Sequence, residues 1–286
     1  MPRIGIIGGS GLYDIEGLKD PKWVRVDTPF GKPSDEYLCA KLSGVELAFL
    51  PRHGRGHHIL PSELNYAANI YGMKKLGVEM IISVSAVGSL KEEIKPLDIL
   101  IPDQYVDRTN QSRLTTFFGD GIVAHVALAN PTCPELSMLV SEVAKSQGMS
   151  VHFGGTYLNM EGPAFSTKAE SNLYRSWGMD VIGMTNMPEA RCAREAEICY
   201  ATMAMVTDYD CWHESEDVSI EMVIQNLLKN VDNAKKILKE VLTKLPDKRE
   251  CLCASALENA IITDPAKISD DTKKKLDIII GKYIKG

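Results

Sequence analysis

The sequence predicts a single α/β domain with a central mixed β-sheet covered by helices. Two observations carry this. Short apolar runs, too short for helices, alternate with segments whose apolar residues recur at helical spacing. The runs are also continuous rather than alternating, as in strands buried on both faces. No internal repeat, low-complexity stretch or convincing linker interrupts the 286 residues, so the chain reads as one domain.

In order, residues 4–7 form a buried strand that runs into Gly8-Gly-Ser-Gly11, where glycine amides can approach an anion closely. That spacing matches neither G-x-G-x-x-G nor a P-loop. Residues 45–50 are a second strand, ending in Pro51-Arg-His-Gly-Arg55. A helix is expected over 62–76 (Leu64, Ala67, Ala68, Tyr71), closed by Gly77. Residues 80–84 form a strand that meets the cluster Ser85-Ala-Val-Gly-Ser89, and 97–102 another. Residues 134–147 form an amphipathic helix stopped by Gly148. A β-rich segment, 151–160, ends at Glu161-Gly-Pro-Ala-Phe-Ser166, and 167–177 is helical. Residues 180–182 lead into Gly183-Met-Thr-Asn186, then a helix over 188–198 with proline at its first position. A long helical stripe (Ile220, Val223, Ile224, Leu227, Leu228, Val231, Ile237, Leu238, Val241, Leu242) has Ser219 as N-cap and Pro246 as stop. A last helix spans 269–284.

Composition narrows the function. The chain is 44% hydrophobic and 24% charged, as ordinary globular domains are. A net charge of -6 without a basic cluster argues against nucleic-acid binding. The N-terminus lacks the pattern of a signal peptide and no run reaches a membrane span, so a cytoplasmic protein is expected. Seven cysteines are scattered along the chain. Cys251-Leu-Cys253 could close a strained disulfide, supply two metal thiolates, or be two plain thiols.

Everything is organised around Met203-Ala-Met-Val-Thr-Asp-Tyr-Asp-Cys-Trp212. It opens as an apolar run to Val206, then sets Asp208 and Asp210 two residues apart. Side chains alternate along an extended backbone, so both carboxylates face one way at the strand's end, where open α/β sheets bind ligands. Two such acids suit a nitrogen-rich ligand or a metal; a solvated turn is the plainer alternative. Strand-end clusters elsewhere suit an oxyanion: Ser10 with glycine amides, Arg52 with His53, and Ser85 with the Ala86 amide. Singly, these residues read more readily as a surface ion pair (Arg52), a loop histidine (His53) and a helix cap (Ser85); it is their joint occurrence at strand ends that points to an anion. His53, His57 and His58 lack matching acids and read as a loop rather than a zinc site. Phe165 is placed to stack on a flat ligand or simply to pack. Arg52-His53-Gly54 also admits a histidine phosphatase, although that motif normally follows a first strand; a catalytically silent binding module is a third class.

The motifs, in order, resemble those of the purine nucleoside phosphorylase family. They are Gly5-Ile-Ile-Gly-Gly-Ser-Gly-Leu12, Asp27-Thr-Pro-Phe-Gly-Lys-Pro-Ser34, Arg52-His-Gly54, Pro61-Ser-Glu-Leu-Asn-Tyr-Ala-Ala-Asn69, Ser85-Ala-Val-Gly-Ser-Leu90, Met160-Glu-Gly-Pro163 and Thr207-Asp-Tyr-Asp-Cys-Trp212. The resemblance spans residues 3 to about 245. It implies a phosphorylase domain over 1–245 and a C-terminal helical extension of the same domain over 246–286. The implied reaction is phosphorolysis of S-methyl-5′-thioadenosine to adenine and 5-methylthio-ribose 1-phosphate, with broad purine nucleoside specificity as the alternative. By position, Ser10, Arg52, His53, Ser85, Ala86 and Thr185 would hold phosphate. Met184 would contact the ribose, Phe165 and Ser166 the base, and Asp208 and Asp210 its N6 and N7. Ile220, Val223, Ile224 and His57 would line the 5′ end, joined by His125 of a neighbouring subunit in a trimer or a dimer of trimers. No cofactor and no metal are implied, since phosphate is a co-substrate. Ala164 and Gly183 depart from the arginine and asparagine usual in the family. The C-x-C tail is similar to that of archaeal hexamers with intracellular disulfides, and Cys133 with Cys199 could pair likewise.

Overall fold

The computed structural model describes residues 3–9, 11–110, 113–213 and 220–284. Strands β1 (Arg3–Gly8), β2 (Lys19–Val24), β3 (Tyr37–Leu42) and β4 (Val45–Pro51) precede helix α1 (Tyr66–Lys75). The long β5 (Val78–Ser89), β6 (Ile99–Ile101) and β7 (Gln104–Arg108) follow, then α2 (Pro134–Ser146). Next come β8 (Val151–Phe153), β9 (Thr156–Met160), α3 (Lys168–Ser176), β10 (Val181–Gly183) and α4 (Asn186–Glu195). The chain continues through β11 (Cys199–Tyr209) and α5 (Ile220–Val241) to α6 (Asp270–Lys275) and α7 (Asp277–Ile280).

One mixed sheet takes up these strands. Its centre is parallel: β1 lies between β4 and β5, and β11 follows β5 along most of its length. The ends of β1, β4 and β11 therefore open at one rim. β10 runs antiparallel to the end of β5, with Ile182 opposite Gly88, so the chain leaving β10 turns back over the middle of β5.

Period-two alternation divides the core. Ile4 and Ile6 of β1 and Met203 and Met205 of β11 pack with Ile237 and Leu238 of α5 on one face. Ile7, Ile81 and Tyr200 pack with Ile70 of α1 and Ala193 of α4 on the other. Leu257, Leu276 and Ile280 join this second cluster, so the C-terminal segment is packed into the domain's own core. No helix among the described residues is long and apolar enough to cross a membrane.

The structure corrects several expectations. Residues 85–89 are not a loop after a strand but the continuation of β5, because β11 pairs with them. The helix expected from residue 62 starts at Tyr66, capped by Asn65, after a 3-10 turn. α4 starts two residues before Pro188, which is tolerated because first-turn N–H groups have no helical acceptor. The terminal helix is broken at Leu276 into α6 and α7. β2, β3 and β7 are additional; β2 is an exposed edge strand and accommodates Pro21 there. Ser219 lies outside the described residues.

Gly72 shows how closely α1 meets the sheet. Tyr37 is fully buried, and its hydroxyl donates to the Asn69 carbonyl at 2.8 Å. A Cβ at Gly72 would overlap that phenol. Helix propensity alone favours Gly72→Ala by about 1 kcal/mol, whereas overpacking costs roughly 1–3 kcal/mol. The expected result is a lower urea midpoint for Gly72→Ala; an unchanged or higher one would show that Tyr37 yields freely.

Candidate active site

At the rim where β1, β4 and β11 end lies a cavity of about 500 Å³. Gly9 and Leu12 line it from the chain after β1, and Arg52, His53 and His57 from the chain after β4. Ser85, Ala86 and Gly88 of β5, Met184 and Thr185 after β10, and Asp208 and Asp210 at the end of β11 complete its floor. Val223, Leu227 and Val231 of α5 form an apolar wall interrupted by Asn230, and Phe165, 80% exposed, also lines the cavity.

The two acids reach one cavity through an irregularity in pairing. β11 slips against β5 between Val206 and Asp208, and Asp208 falls opposite Gly88. A Cβ at Gly88 would come within 3.2 Å of Asp208 Oδ1 and 3.4 Å of Asp210 Cβ, so a bare backbone makes room for both side chains. The slip is braced from α5: Asn230 Nδ2 donates to Val206 O at 2.9 Å and Asn226 Nδ2 to Thr207 O at 2.8 Å. The Asp210 N–H donates to Ser89 O at 3.0 Å.

Burial raises the pKa of Asp208, partly offset by the Thr207 hydroxyl, which donates to Oδ2 at 2.6 Å; the neighbouring Asp210 raises it further. Burial likewise raises Asp210, against the lowering effects of the Ser171 hydroxyl, the Cys211 amide and the Ser166 hydroxyl. Asp210 Oδ2 and Ser171 Oγ are nevertheless buried without a well-aligned partner among the described residues. A buried carboxyl oxygen in that state is stabilised by any donor a ligand brings.

The opposite end of the cavity is donor-rich and built around a buried ion pair. Arg52 is 3% exposed, and its Nε and Nη2 both bond to Glu189 (2.5 and 3.3 Å). Nη2 also donates to Ser83 Oγ and Nη1 to Val84 O. Glu189 thus takes the Nε and Nη2 side of the guanidinium and pairs its charge, which leaves the Nη1 edge. Burial pushes the Arg52 pKa down, but the Glu189 carboxylate outweighs it and the net shift is upward. Glu189 Oε2 also accepts from Ser83 and Tyr200, at 2.7 and 2.8 Å.

His53 Nδ1 lies 2.8 Å from the Ile59 carbonyl, which only accepts, so this nitrogen carries the proton and Nε2 is bare. Burial, and then Arg52, lower the His53 pKa to about 4. Its ring stacks on His57 at 4.4 Å. Thr185 is the N-cap of α4, so that helix presents its positive end at the cavity.

Other expected residues fall elsewhere. Ser10 lies outside the described residues, as does the Ile220 side chain. Ile224 is not in the wall: it is 50% exposed, whereas Val223 and Leu227 line the cavity, Leu227 while still 39% exposed. Ser166 stands behind Asp210 and off the lining. His125 lines a second cavity of about 850 Å³ that shares no residue with the first.

The Phosphorylase superfamily model matches residues 3–243. The chain belongs to that superfamily. S-methyl-5′-thioadenosine phosphorylase of Geobacter sulfurreducens is 60% identical over 282 residues, 98% of this chain and 99% of that one. The crystal structure of a methylthioadenosine phosphorylase from an antarctic soil metagenomic library matches with a TM-score of 0.93 at 49% identity, covering 97% of this chain and 98% of that one. Methylthioadenosine phosphorylase from Schistosoma mansoni, in complex with adenine, matches with a TM-score of 0.81 at 34% identity, covering 90% and 96%.

Two supports of this phosphorylase site were not visible in the sequence. Arg113, buried, donates to the Met184 carbonyl at 2.7 Å and to the Glu161 carbonyl at 2.6 Å, joining two loops of the site. Its own loop is pinned by Glu195, which accepts from Thr116 Oγ1 and the Phe117 N–H at 2.8 and 2.7 Å. Burial pushes Glu195 from 4.5 up to about 7, although those bonds and Arg191 pull it down. The folded protein therefore keeps a proton there that the unfolded chain has lost. Stability from this group is present below about 4.5 and is lost as pH rises through about 7. Urea midpoints measured from pH 5 to 8 should fall less steeply for Glu195→Gln; parallel curves would remove Glu195 as the cause.

Proposed function

We propose that this protein splits S-methyl-5′-thioadenosine with inorganic phosphate, releasing adenine and 5-methylthio-ribose 1-phosphate. The observation that supports this most is the convergence, in one cavity, of a buried and a half-buried carboxyl, Asp210 and Asp208, with a donor-rich pocket built around the paired Arg52. In this reading phosphate binds at Ser10, Arg52, His53, Ser85, the Ala86 amide and Thr185. Neutral His53 accepts through Nε2 from the protonated oxygen of hydrogen phosphate. Met184 contacts the ribose, and Phe165 covers the base with Ser166 nearby. Val223 and Leu227 form an apolar wall beside His57 for the methylthio group.

The bond from C1′ to N9 breaks with its electron pair passing into the purine, and a phosphate oxygen then bonds to C1′. Asp210, its pKa raised by burial, holds a proton for N7 and relieves the charge that builds on the ring. Asp208 accepts from the 6-amino group. Phosphate is a co-substrate, and no cofactor or metal takes part. His125 lies away from the cavity of its own chain, so the reading that includes it takes it from a neighbouring copy in a trimer or a dimer of trimers. A cytoplasmic place in purine and methionine salvage goes with this activity.

Broad purine nucleoside phosphorolysis is the second reading. It is disfavoured by Asp208, because an acceptor there faces the acceptor of a 6-oxo base.

Phosphate-dependent adenine release from methylthioadenosine, at higher catalytic efficiency than inosine cleavage, is the expected outcome; a preference for inosine overturns the choice. Asp210→Ala should lower kcat by about 10²–10⁴-fold while phosphate KM changes little. Equal losses in both would make Asp210 a holder of the fold. Asp208→Asn should narrow the ratio of 6-amino to 6-oxo substrate efficiency by about tenfold or more; an unchanged ratio would take selection away from Asp208.

A further inference from the structure

Four cysteines from distant parts of the chain meet well away from the cavity. Cys133 is the N-cap residue of α2, Cys199 opens β11, and Cys251 and Cys253 belong to the segment after α5. Their Sγ atoms all lie within 4.8 Å of one another, with Cys199 and Cys251 at 3.2 Å. Cys133, Cys199 and Cys253 are buried, and Cys251 is half-buried. The sequence presents two pairs; the fold presents a cluster.

We propose that Cys133, Cys199, Cys251 and Cys253 form a structural site for one thiophilic d¹⁰ cation, with Zn²⁺ the foremost candidate. A tetrahedral zinc with Zn–S bonds of about 2.3 Å places its sulfurs about 3.8 Å apart, within the spread found here. The compact spread suits a single ion, and four thiolates close its coordination, which makes the site structural rather than catalytic.

The surroundings fit the charge. Four thiolates around Zn²⁺ carry a net charge of about -2. Arg194 Nη1 lies 3.8 Å from Cys253 Sγ, and Arg249 Nη1 lies 3.9 Å from Cys199 Sγ. Both guanidinium groups are held in place by carbonyls, Arg194 by Asn130 and Thr132, Arg249 by Glu79 and Glu197. Donors fixed around metal-bound sulfur orient the ligands and balance their charge. Arg249 also pairs with the Glu79 carboxylate at 3.1 Å, on its more exposed side.

The position explains what an ion would do. Cys199 and Asp208 lie at opposite ends of β11, roughly 30 Å apart at about 3.3 Å per residue. Metal here fastens the segment after α5 to α2 and to the root of the strand that carries both acids. On binding, the thiols release their protons to solvent and nothing is oxidised.

The test uses full-length protein purified under reducing conditions without chelator. Elemental analysis should find one Zn²⁺ per chain, and removal of the ion should lower the unfolding temperature. Replacement with Co²⁺ should give the intense thiolate-to-metal absorption of a four-sulfur site. Cys251→Ser and Cys133→Ser should each lose that absorption; if either fails to fold, the wild-type spectrum and stoichiometry decide alone. The proposal is overturned if reduced protein mixed with Zn²⁺ or Co²⁺ binds neither in stoichiometric amount. It is equally overturned if that protein binds them while all four thiols stay open to alkylation, or if the protein as isolated holds these sulfurs in disulfides that do not give way to metal after reduction.

Discussion

Arg52 and Glu189 meet where neither reaches water, between the chain leaving β4 and the first turns of α4. A buried charge left without its partner costs about 3–5 kcal/mol, so neither side chain has an alternative place in the folded protein. The pair draws in Ser83 from β5 and Tyr200 from β11, and Asn186 bonds both of these. Four elements are thereby fixed beneath the cavity floor. Guanidinium charge at the cavity, the Thr185 end of α4, and the Ser85 stretch of β5 keep their relative positions because this network has no slack.

At the acid end the constraint is of another kind. Asp208 and Asp210 share a cavity because β11 slips against β5 just before Asp208, and because Gly88 supplies no side chain there. At the slip, two asparagines one helical turn apart donate to the Val206 and Thr207 carbonyls, the first of which also accepts from the Leu97 N–H. Those bonds also tie α5 to the strand end. Chemistry at the strand end and the apolar wall opposite are thus joined at one local irregularity.

Most of the sheet, and the acids themselves, were legible in the sequence, because apolar runs and the spacing of Asp208 and Asp210 are local signals. Long-range pairing was not. Ser85 reads as a loop residue until β11 is seen beside it, and Glu189 reads as an ordinary first-turn acid until Arg52 arrives from 137 residues away. The apolar stripe on α5 does not run inward throughout, because Asn226 and Asn230 spend their amides inside. Ile224 and Leu228, counted as inward, are 50% and 63% exposed. β2 is polar and edge-bound, and so carries no apolar signature.

Tyr157 and Gly183 form one more pair whose meaning appears only in three dimensions. Their strands β9 and β10 run side by side, and the Tyr157 phenol, 3.3 Å from Ser85 Oγ, fills the volume that any side chain at Gly183 would need. Two positions that share one volume cannot drift independently. Descendants of this chain that acquire a side chain at 183 must first, or at the same time, surrender the ring at 157, and the order of those two changes sets which evolutionary routes toward a reshaped pocket stay open.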